Sequence, residues 1–246
     1  MISAATVRVG TAGWANPPAI TAVRPDGRSH LQHYADSFNC VEINSSFYRP
    51  HRRSTYERWR ASTPARFAFS VKTPRTITHD GALRDCRAEL LEFVAAIEGL
   101  GPKLGVVLVQ LPPSLLFESR VVTAFFTLLR ANCAAPVVCE PRNPSWFTGV
   151  ADALLLRLGV GRVGADPART PEAAVPAGDP RVRYWRLHGA PVIYYSAYSE
   201  AFLAAVAAAM SEAARDAGEC WCIFDNTARH EAWPDAMRLG SRLSRG

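Results

Sequence analysis

Cys40-Val-Glu-Ile-Asn-Ser-Ser-Phe-Tyr48 is the stretch on which the fold turns. Successive strand side chains point to opposite faces, so Val41 and Ile43 share one face while Glu42 and Asn44 share the other. A strand with one apolar face and one polar face suits a parallel strand of a β/α barrel. There one face packs on helices, and the other lines the interior below a site at the strands' C-terminal ends.

Working outward, β-branched runs that end in Gly, Pro or polar residues predict eight strands. They cover residues 7–13, 40–47, 67–73, 105–111, 136–142, 159–165, 182–188 and 220–225. Their starts recur at βαβ spacing, which calls for a parallel sheet. The expected fold is therefore α/β, a TIM-like (β/α)8 barrel in a single domain over residues 1–246, with its core at about 7–240.

Helices are expected between most strands. Ser29 and Gln32 form a capping box ahead of Leu31, Tyr34 and Phe38, and Ser54 with Glu57 reads as a second box. Apolar stripes mark residues 83–99, 119–131 and 150–158. Ser199 caps a helix over 199–217 that carries Phe202, Leu203, Val206 and Met210 inward, and the last helix begins near Trp233 and Pro234. Two segments break the pattern. Three prolines between Ala15 and Arg28 suggest a loop over the barrel mouth, and the proline-rich residues 167–180 leave the sixth connection irregular, without a normal helix.

The chain has 246 residues, a net charge of +6 and 48% hydrophobic residues. That is enough apolar material for a large core, and no apolar run approaches the roughly 20 residues that span a bilayer. The opening Met-Ile-Ser-Ala-Ala-Thr has neither a basic nor an apolar targeting segment, so a cytoplasmic location without membrane partners is expected. Six cysteines lack any C-x-x-C pair and read as buried apolar residues. Cys220 and Cys222 supply only half of a tetrahedral zinc site. The basic balance favours anion binding.

Applying strand alternation to every unit makes a polar set converge at the strand ends. The candidate catalytic residues are Glu42, Lys72, Glu140, His188 and Asp225. The candidate substrate-binding residues are Trp14, Asn44, Tyr48, Gln110, Arg142, Trp146, Arg186 and Asn226. Buried charges require partners, because an unpaired one costs several kcal/mol. The expected pairs are Glu42 with Lys72, and Glu140 with Arg142 or Arg186. His188 suits acid/base work near neutral pH, and Gly189 beside it permits close backbone approach.

No cofactor is expected. A divalent metal would draw on Glu42, Glu140, Asp166, His188 and Asp225, but Lys72, Arg142 and Arg186 project into the same space and oppose a dication. Gly10-Thr-Ala-Gly13 lacks the Walker lysine and the G-x-G-x-x-G spacing, so no phosphate loop is present. Trp14, Phe47, Tyr48, Trp146, Tyr194, Tyr195 and Tyr198 all follow strand ends. Such a rim stacks sugars or bases, which keeps nucleic acid in view as a partner.

In this order, several blocks resemble the YecE-like family, also known as domain of unknown function 72. They are Gly10-Thr-Ala-Gly-Trp14, Val41-Glu-Ile-Asn-Ser-Ser-Phe-Tyr48, Phe69-Ser-Val-Lys-Thr-Pro-Arg-Thr-Ile-Thr-His79, Gln110-Leu-Pro-Pro113, Glu140-Pro-Arg-Asn-Pro-Ser-Trp146, Arg186-Leu-His-Gly189 and Phe224-Asp-Asn-Thr227. The resemblance implies a TIM-like barrel with these blocks around its mouth, and no established activity. The chain departs from the family at Val23-Arg-Pro25, at His188-Gly-Ala190 where the family often has His-Gly-Arg, and at Asp225-Asn226 where it often has Asn-Asn. The residues and the resemblance together favour an enzyme acting on a small anionic or sugar-like substrate by general acid/base chemistry. The alternatives are a nucleic-acid-binding or nucleic-acid-processing barrel and a non-enzymatic ligand-binding barrel, and oligomeric state stays open.

Overall fold

A computed structural model describes residues 6–15, 17 and 27–244. The expected loop between Ala15 and Arg28 falls mostly outside the described residues. In chain order the strands and α-helices are β1 (Thr6–Thr11), α1 (His30–Ser37), β2 (Cys40–Ile43), α2 (Arg53–Ala61), β3 (Ala68–Lys72), α3 (Arg87–Ile97), β4 (Leu104–Gln110), α4 (Ser119–Asn132), β5 (Val137–Glu140), α5 (Gly149–Arg157), β6 (Val160–Arg162), β7 (Gly164–Asp166), β8 (Ala177–Gly178), β9 (Val182–Leu187), α6 (Glu200–Ala213), β10 (Glu219–Phe224) and α7 (Ala232–Leu243). The result is a mixed α/β domain in which strand–helix alternation dominates.

The strands form two sheets rather than the single ring expected. One has the order β1-β10-β9-β7 and the other β2-β3-β4-β5-β6-β8. Every pairing is parallel except β6 with β8. Among the described residues the ladders do not close into one continuous sheet, and two local features explain the breaks.

At one seam Asn39 stands in for a strand neighbour of β1: its Oδ1 accepts from Val9 N–H at 3.2 Å and its Nδ2 donates to Val7 O at 2.9 Å. The Tyr34 hydroxyl accepts from Thr11 N–H and donates to Cys40 O. Only the bridge between Ala12 and Glu42 joins β1 to β2 directly. At the other seam the predicted strand 159–165 splits around Val163, so that β6 pairs with β5 and β7 pairs with β9. The inserted β8 pairs with β6 where a regular connection would carry a helix.

Gly10 lets the first seam close. A Cβ there would lie 2.3 Å from Cys40 O, a backbone atom that cannot turn aside. Gly10→Ala is therefore expected to cost about 1–3 kcal/mol, measured by urea denaturation. An unchanged midpoint would mean that the seam is loose.

Apolar side chains fill both sides of the strands. The outer core lies between strands and helices, through residues such as Tyr34, Val41, Phe69, Val107, Phe126 and Leu187. An inner core draws Cys40, Ala68, Val106, Val138, Tyr184 and Trp221 from both sheets. This apolar floor lies toward the strands' N-terminal ends, and above it the inward positions become charged.

The helices follow their local signals with two exceptions. The Ser29–Gln32 box forms, with Gln32 N–H donating to Ser29 Oγ and Ser29 N–H to Gln32 Oε1. The Ser54–Glu57 box does not: α2 starts at Arg53, and Glu57 pairs instead with Arg53 one turn earlier. The helix expected over 83–99 begins only at Arg87, because Ala82, Leu83 and Asp85 have positive φ and form turns. Ser199 caps α6 and Pro234 lies in the first turn of α7, as expected. No helix among the described residues is long and apolar enough to cross a membrane.

Candidate functional site

Register and strand length bring the inward residues to one level. β2 places Glu42 opposite Ser70 of β3, and β4 places Gln110 opposite Glu140 of β5. Past the ladder ends, His188 N–H donates to Asp166 O at 2.7 Å and Asp225 N–H donates to Leu187 O at 2.7 Å. These two bonds extend the β7-β9-β10 order by one residue and set His188 beside Asp225.

Arg186 is the hub, 2% exposed. Its Nε and Nη2 hold Glu42 in a fork, at 3.0 Å to Oε2 and 2.8 Å to Oε1. Its Nη1 reaches Glu140 Oε2 at 3.3 Å, and its Nη2 lies 3.0 Å from Asp225 Oδ2. The Tyr184 hydroxyl sits between Glu42 Oε2 at 3.0 Å and Ser70 Oγ at 2.9 Å. Glu42 thus pairs with Arg186 and Tyr184, not with the expected Lys72. Three carboxylates around one guanidinium are the arrangement a buried arginine requires, since fixed planar donors match carboxylate geometry. With its donors taken, Arg186 orders the carboxylates beneath the site and has little left for a substrate.

His188, 1% exposed, is clasped on both sides. Nδ1 lies 3.0 Å from Asp225 Oδ2 and Nε2 lies 2.9 Å from Glu140 Oε1. Arg142 Nη2 lies 2.5 Å from the same Nε2 and also forms an ion pair with Glu140 Oε1. When Arg142 donates to Nε2, the ring proton sits on Nδ1 and faces Asp225. When Nε2 carries a proton it faces Glu140, and Arg142 must turn away. Both ring nitrogens thus face a carboxylate, and the tautomer sets which of them carries the proton.

The electrostatics follow from these contacts. Burial alone would raise the Glu140 carboxyl, but Arg142, Arg186 and His188 outweigh it and hold the group well below the usual range. Burial is outweighed at Asp225 too, by Arg186, by a hydrogen bond from His188 and by Lys72. Glu42, Glu140 and Asp225 face three fixed cations, Lys72, Arg142 and Arg186. Only two of those cations are tied down by ion pairs.

Lys72, at the C-terminal end of β3, is 6% exposed. Its Nζ lies 4.0 Å from the centre of the Phe47 ring, and it makes no hydrogen bond or ion pair with any described residue. Burial lowers its pKa to about 8, with Arg186 pushing the same way against Glu42, Glu140 and Asp225. An ammonium withdrawn from water, with no carboxylate in ion-pair contact, gives up its proton more readily than an exposed one.

The remaining candidates lie at different depths. Asn226 is buried, its Nδ2 donating to Ser196 O and to Asp235 Oδ2, while its Oδ1 has no partner among the described residues. Asn44 Oδ1 is likewise buried and unpartnered. Gln110 is half-buried and donates to Leu111 O. Trp14 is half-buried against Trp59, and Tyr48 is 75% exposed beside Phe47. Trp146 departs from expectation: it is fully buried, donates to Leu115 O and packs on Phe117, so it belongs to the core and not to the rim. Tyr198 is also buried, bonded to Asp166 and Gly189.

Sequence reasoning missed one supporting residue, Asp235, and read Phe47 and Tyr194 only as rim aromatics. Phe47 is the face against which Lys72 rests, Asp235 of α7 holds Asn226, and Tyr194 packs edge-on to the His188 ring. Asp235 had a legible signal, an acid in a first helical turn after proline. The other two depend on loop conformations, among them the positive φ of Tyr194.

The comparisons agree with one another. A family model described as "Protein of unknown function DUF72" matches residues 8–246. The UPF0759 protein YecE of Escherichia coli K12 is 30% identical over 161 residues, 65% of this chain and 57% of YecE. The UPF0759 protein YunF of Bacillus subtilis 168 is 29% identical over 150 residues, 58% of this chain and 52% of YunF. The match thus spans under two thirds of either relative's length. A DUF72 family protein of Thermotoga maritima MSB8 shares 25% identity with a TM-score of 0.80, over 97% of this chain and 99% of the other. One from Enterococcus faecalis V583 has a TM-score of 0.81 at 18% identity, over 97% and 96%, and speaks for the fold alone. With its family model matched from residue 8 to residue 246, the chain belongs to the DUF72 family of proteins of unknown function.

Proposed function

We propose that this chain is an enzyme that acts on a small anionic or sugar-like substrate by general acid/base chemistry, at the C-terminal ends of its parallel strands. In this reading the scaffold is a distorted TIM-like barrel, supported by the inner core that the two sheets share and by the Ala12–Glu42 bridge. One observation carries the functional reading: His188 is held by two buried carboxylates beside a buried lysine that has no polar partner among the described residues. The three carboxylates Glu42, Glu140 and Asp225 are matched in number by Lys72, Arg142 and Arg186, but only the two arginines touch them, which leaves the Lys72 ammonium without an ion-pair contact.

The parts divide as follows. Glu42, Tyr184 and Arg186 form the rigid base. Arg142, whose side chain is 16% exposed, and Lys72 are the cations a substrate meets, and they stabilise charge that develops on it. His188 moves the proton, with Glu140 and Asp225 setting which ring nitrogen carries it. Trp146 and Tyr198 are buried while Tyr48, Tyr194 and Tyr195 stay exposed; the small-substrate reading is favoured over a nucleic-acid one because Lys72, Glu140, His188 and Asp225 are buried together and not spread along a surface.

The test is a substrate-library screen of the wild type alongside His188→Gln and Glu140→Gln, with folding checked by circular dichroism. Each substitution is expected to lower turnover by about 100-fold or more. Turnover that survives both changes contradicts the proposal. A ligand carried through purification without turnover would instead support a binding-only protein.

A further inference from the structure

The basic residues of this chain are distributed unevenly. Of 28 lysines and arginines, 26 are arginine, and the lysines are Lys72 and Lys103 alone. The two lysines sit in different surroundings. The Lys103 ammonium reaches Arg60 O and Thr63 O at 2.6 Å and Thr63 Oγ1 at 3.1 Å, a compact three-oxygen cup suited to a point charge. Lys72 has no such cup. Its Nζ lies over the Phe47 ring, and Arg186, Glu42, Glu140 and Asp225 act on it electrostatically without an ion-pair contact.

An amine differs from a guanidinium in one chemical respect that matters here: it can lose its proton and become a nucleophile. The conditions that activate a lysine are an apolar surrounding and a nearby second cation. Burial supplies the first and Arg186 the second, and together they outweigh the Phe47 ring face and the three carboxylates, which favour the ammonium. If anion binding were the task, arginine, used at 26 other positions, would bind more strongly and in a fixed geometry.

We infer that Lys72 is a covalent catalyst that forms an imine with an aldehyde or ketone group of the substrate. This rests on the general acid/base reading above and narrows its substrate to a small carbonyl compound. The lone pair of neutral Nζ attacks the carbonyl carbon, a C–N bond forms, and the carbonyl π pair moves to oxygen, which takes up a proton. Nitrogen gives up both of its protons in turn, oxygen takes the second and departs as water, and C=N is left. Amine plus carbonyl gives imine plus water, with nothing oxidised or reduced. His188, between Glu140 and Asp225, carries the protons from nitrogen to departing oxygen. Hydrolysis reverses the steps and frees the enzyme.

The experiment traps the imine. Native protein is incubated separately with glyoxylate, pyruvate and glycolaldehyde in the presence of sodium cyanoborohydride, then digested and analysed by mass spectrometry. Hydride reduces C=N, and the modified peptide gains the mass of the probe less one oxygen atom. At least one probe is expected to label Lys72 tenfold or more over Lys103 in native protein, whereas urea-unfolded protein labels both alike. In Lys72→Arg the adduct at that peptide disappears. Equal labelling of both lysines in native protein, or no adduct at Lys72 with any probe while unfolded protein labels both, overturns the inference. Turnover of a screened substrate that is lost in His188→Gln and kept in Lys72→Arg also overturns it, and leaves the acid/base reading standing. Selective trapping at Lys72 with unchanged turnover in His188→Gln does the reverse.

Discussion

Arg186→Met is expected to lower the unfolding free energy by about 3–5 kcal/mol at neutral pH, the cost of removing one partner from a buried ionic group. Glu42, Glu140 and Asp225 would be left with Arg142 and Lys72 as their only fixed cations, and Glu42 would lose every ion pair it makes. The sign of the pH dependence follows from the carboxyls. Glu140 and Asp225 have depressed pKa values in the folded chain. Their stabilisation is present in full above the unfolded values of about 4 and fades as pH falls through the folded ones. Without Arg186 the depression shrinks, so the gap between variant and wild type is widest near neutrality and narrows in acid. Urea denaturation at about pH 7 and about pH 4 measures both points. A variant as stable as wild type at both would mean that the carboxylates do not depend on this arginine.

Lys72→Met has the opposite expected effect: it stabilises the chain by about 2–3 kcal/mol at pH 7. The folded pKa of Lys72 is lowered by burial from 10.5 to about 8, so below pH 8 the fold bears the cost of an ammonium withdrawn from water. Between about 8 and 10.5 the unfolded chain binds more protons than the folded one, and stability therefore rises with pH there. The wild type recovers what the variant has already gained, and the two converge in alkali. The groups facing Lys72 are Arg186, which lowers it further, and Glu42, Glu140 and Asp225, which raise it; His79 lies within its field. Chemical denaturation of both chains across this range reads the difference directly. A variant less stable than wild type at pH 7 would identify Lys72 as a structural cation. A residue that costs stability where it stands is the usual mark of a functional one.

Much of this was legible in the chain. Alternation in Cys40–Ile43, Ala68–Lys72 and Val182–Leu187 placed Glu42, Lys72 and Arg186 on the inward faces, because a two-residue period permits no other assignment once the apolar face is known. Strand ends also pointed to Glu140, Arg142 and His188, whereas alternation left the face of Asp225 open. What escaped was set by tertiary geometry. Glu42 takes Arg186 as partner because the fork of a guanidinium grips both oxygens, which adjacency of β2 and β3 does not reveal. Trp146 looked like a rim aromatic but is drawn inward by Leu115 O and Phe117, contacts some 30 residues away. The split of 159–165 into β6 and β7 depends on which strand lies opposite each half, and the seam at Asn39 depends on a side chain acting as backbone. Neither leaves a periodic trace.

The central claim, a buried lysine whose ammonium gives up its proton more readily than an ordinary one, is tested most directly by nuclear magnetic resonance. With two lysines in 246 residues, protein carrying 13C-labelled lysine gives two side-chain signals. The signal absent from Lys72→Met is expected to titrate with a midpoint near 8. A midpoint for that signal at the ordinary lysine value of 10.5 would contradict the claim.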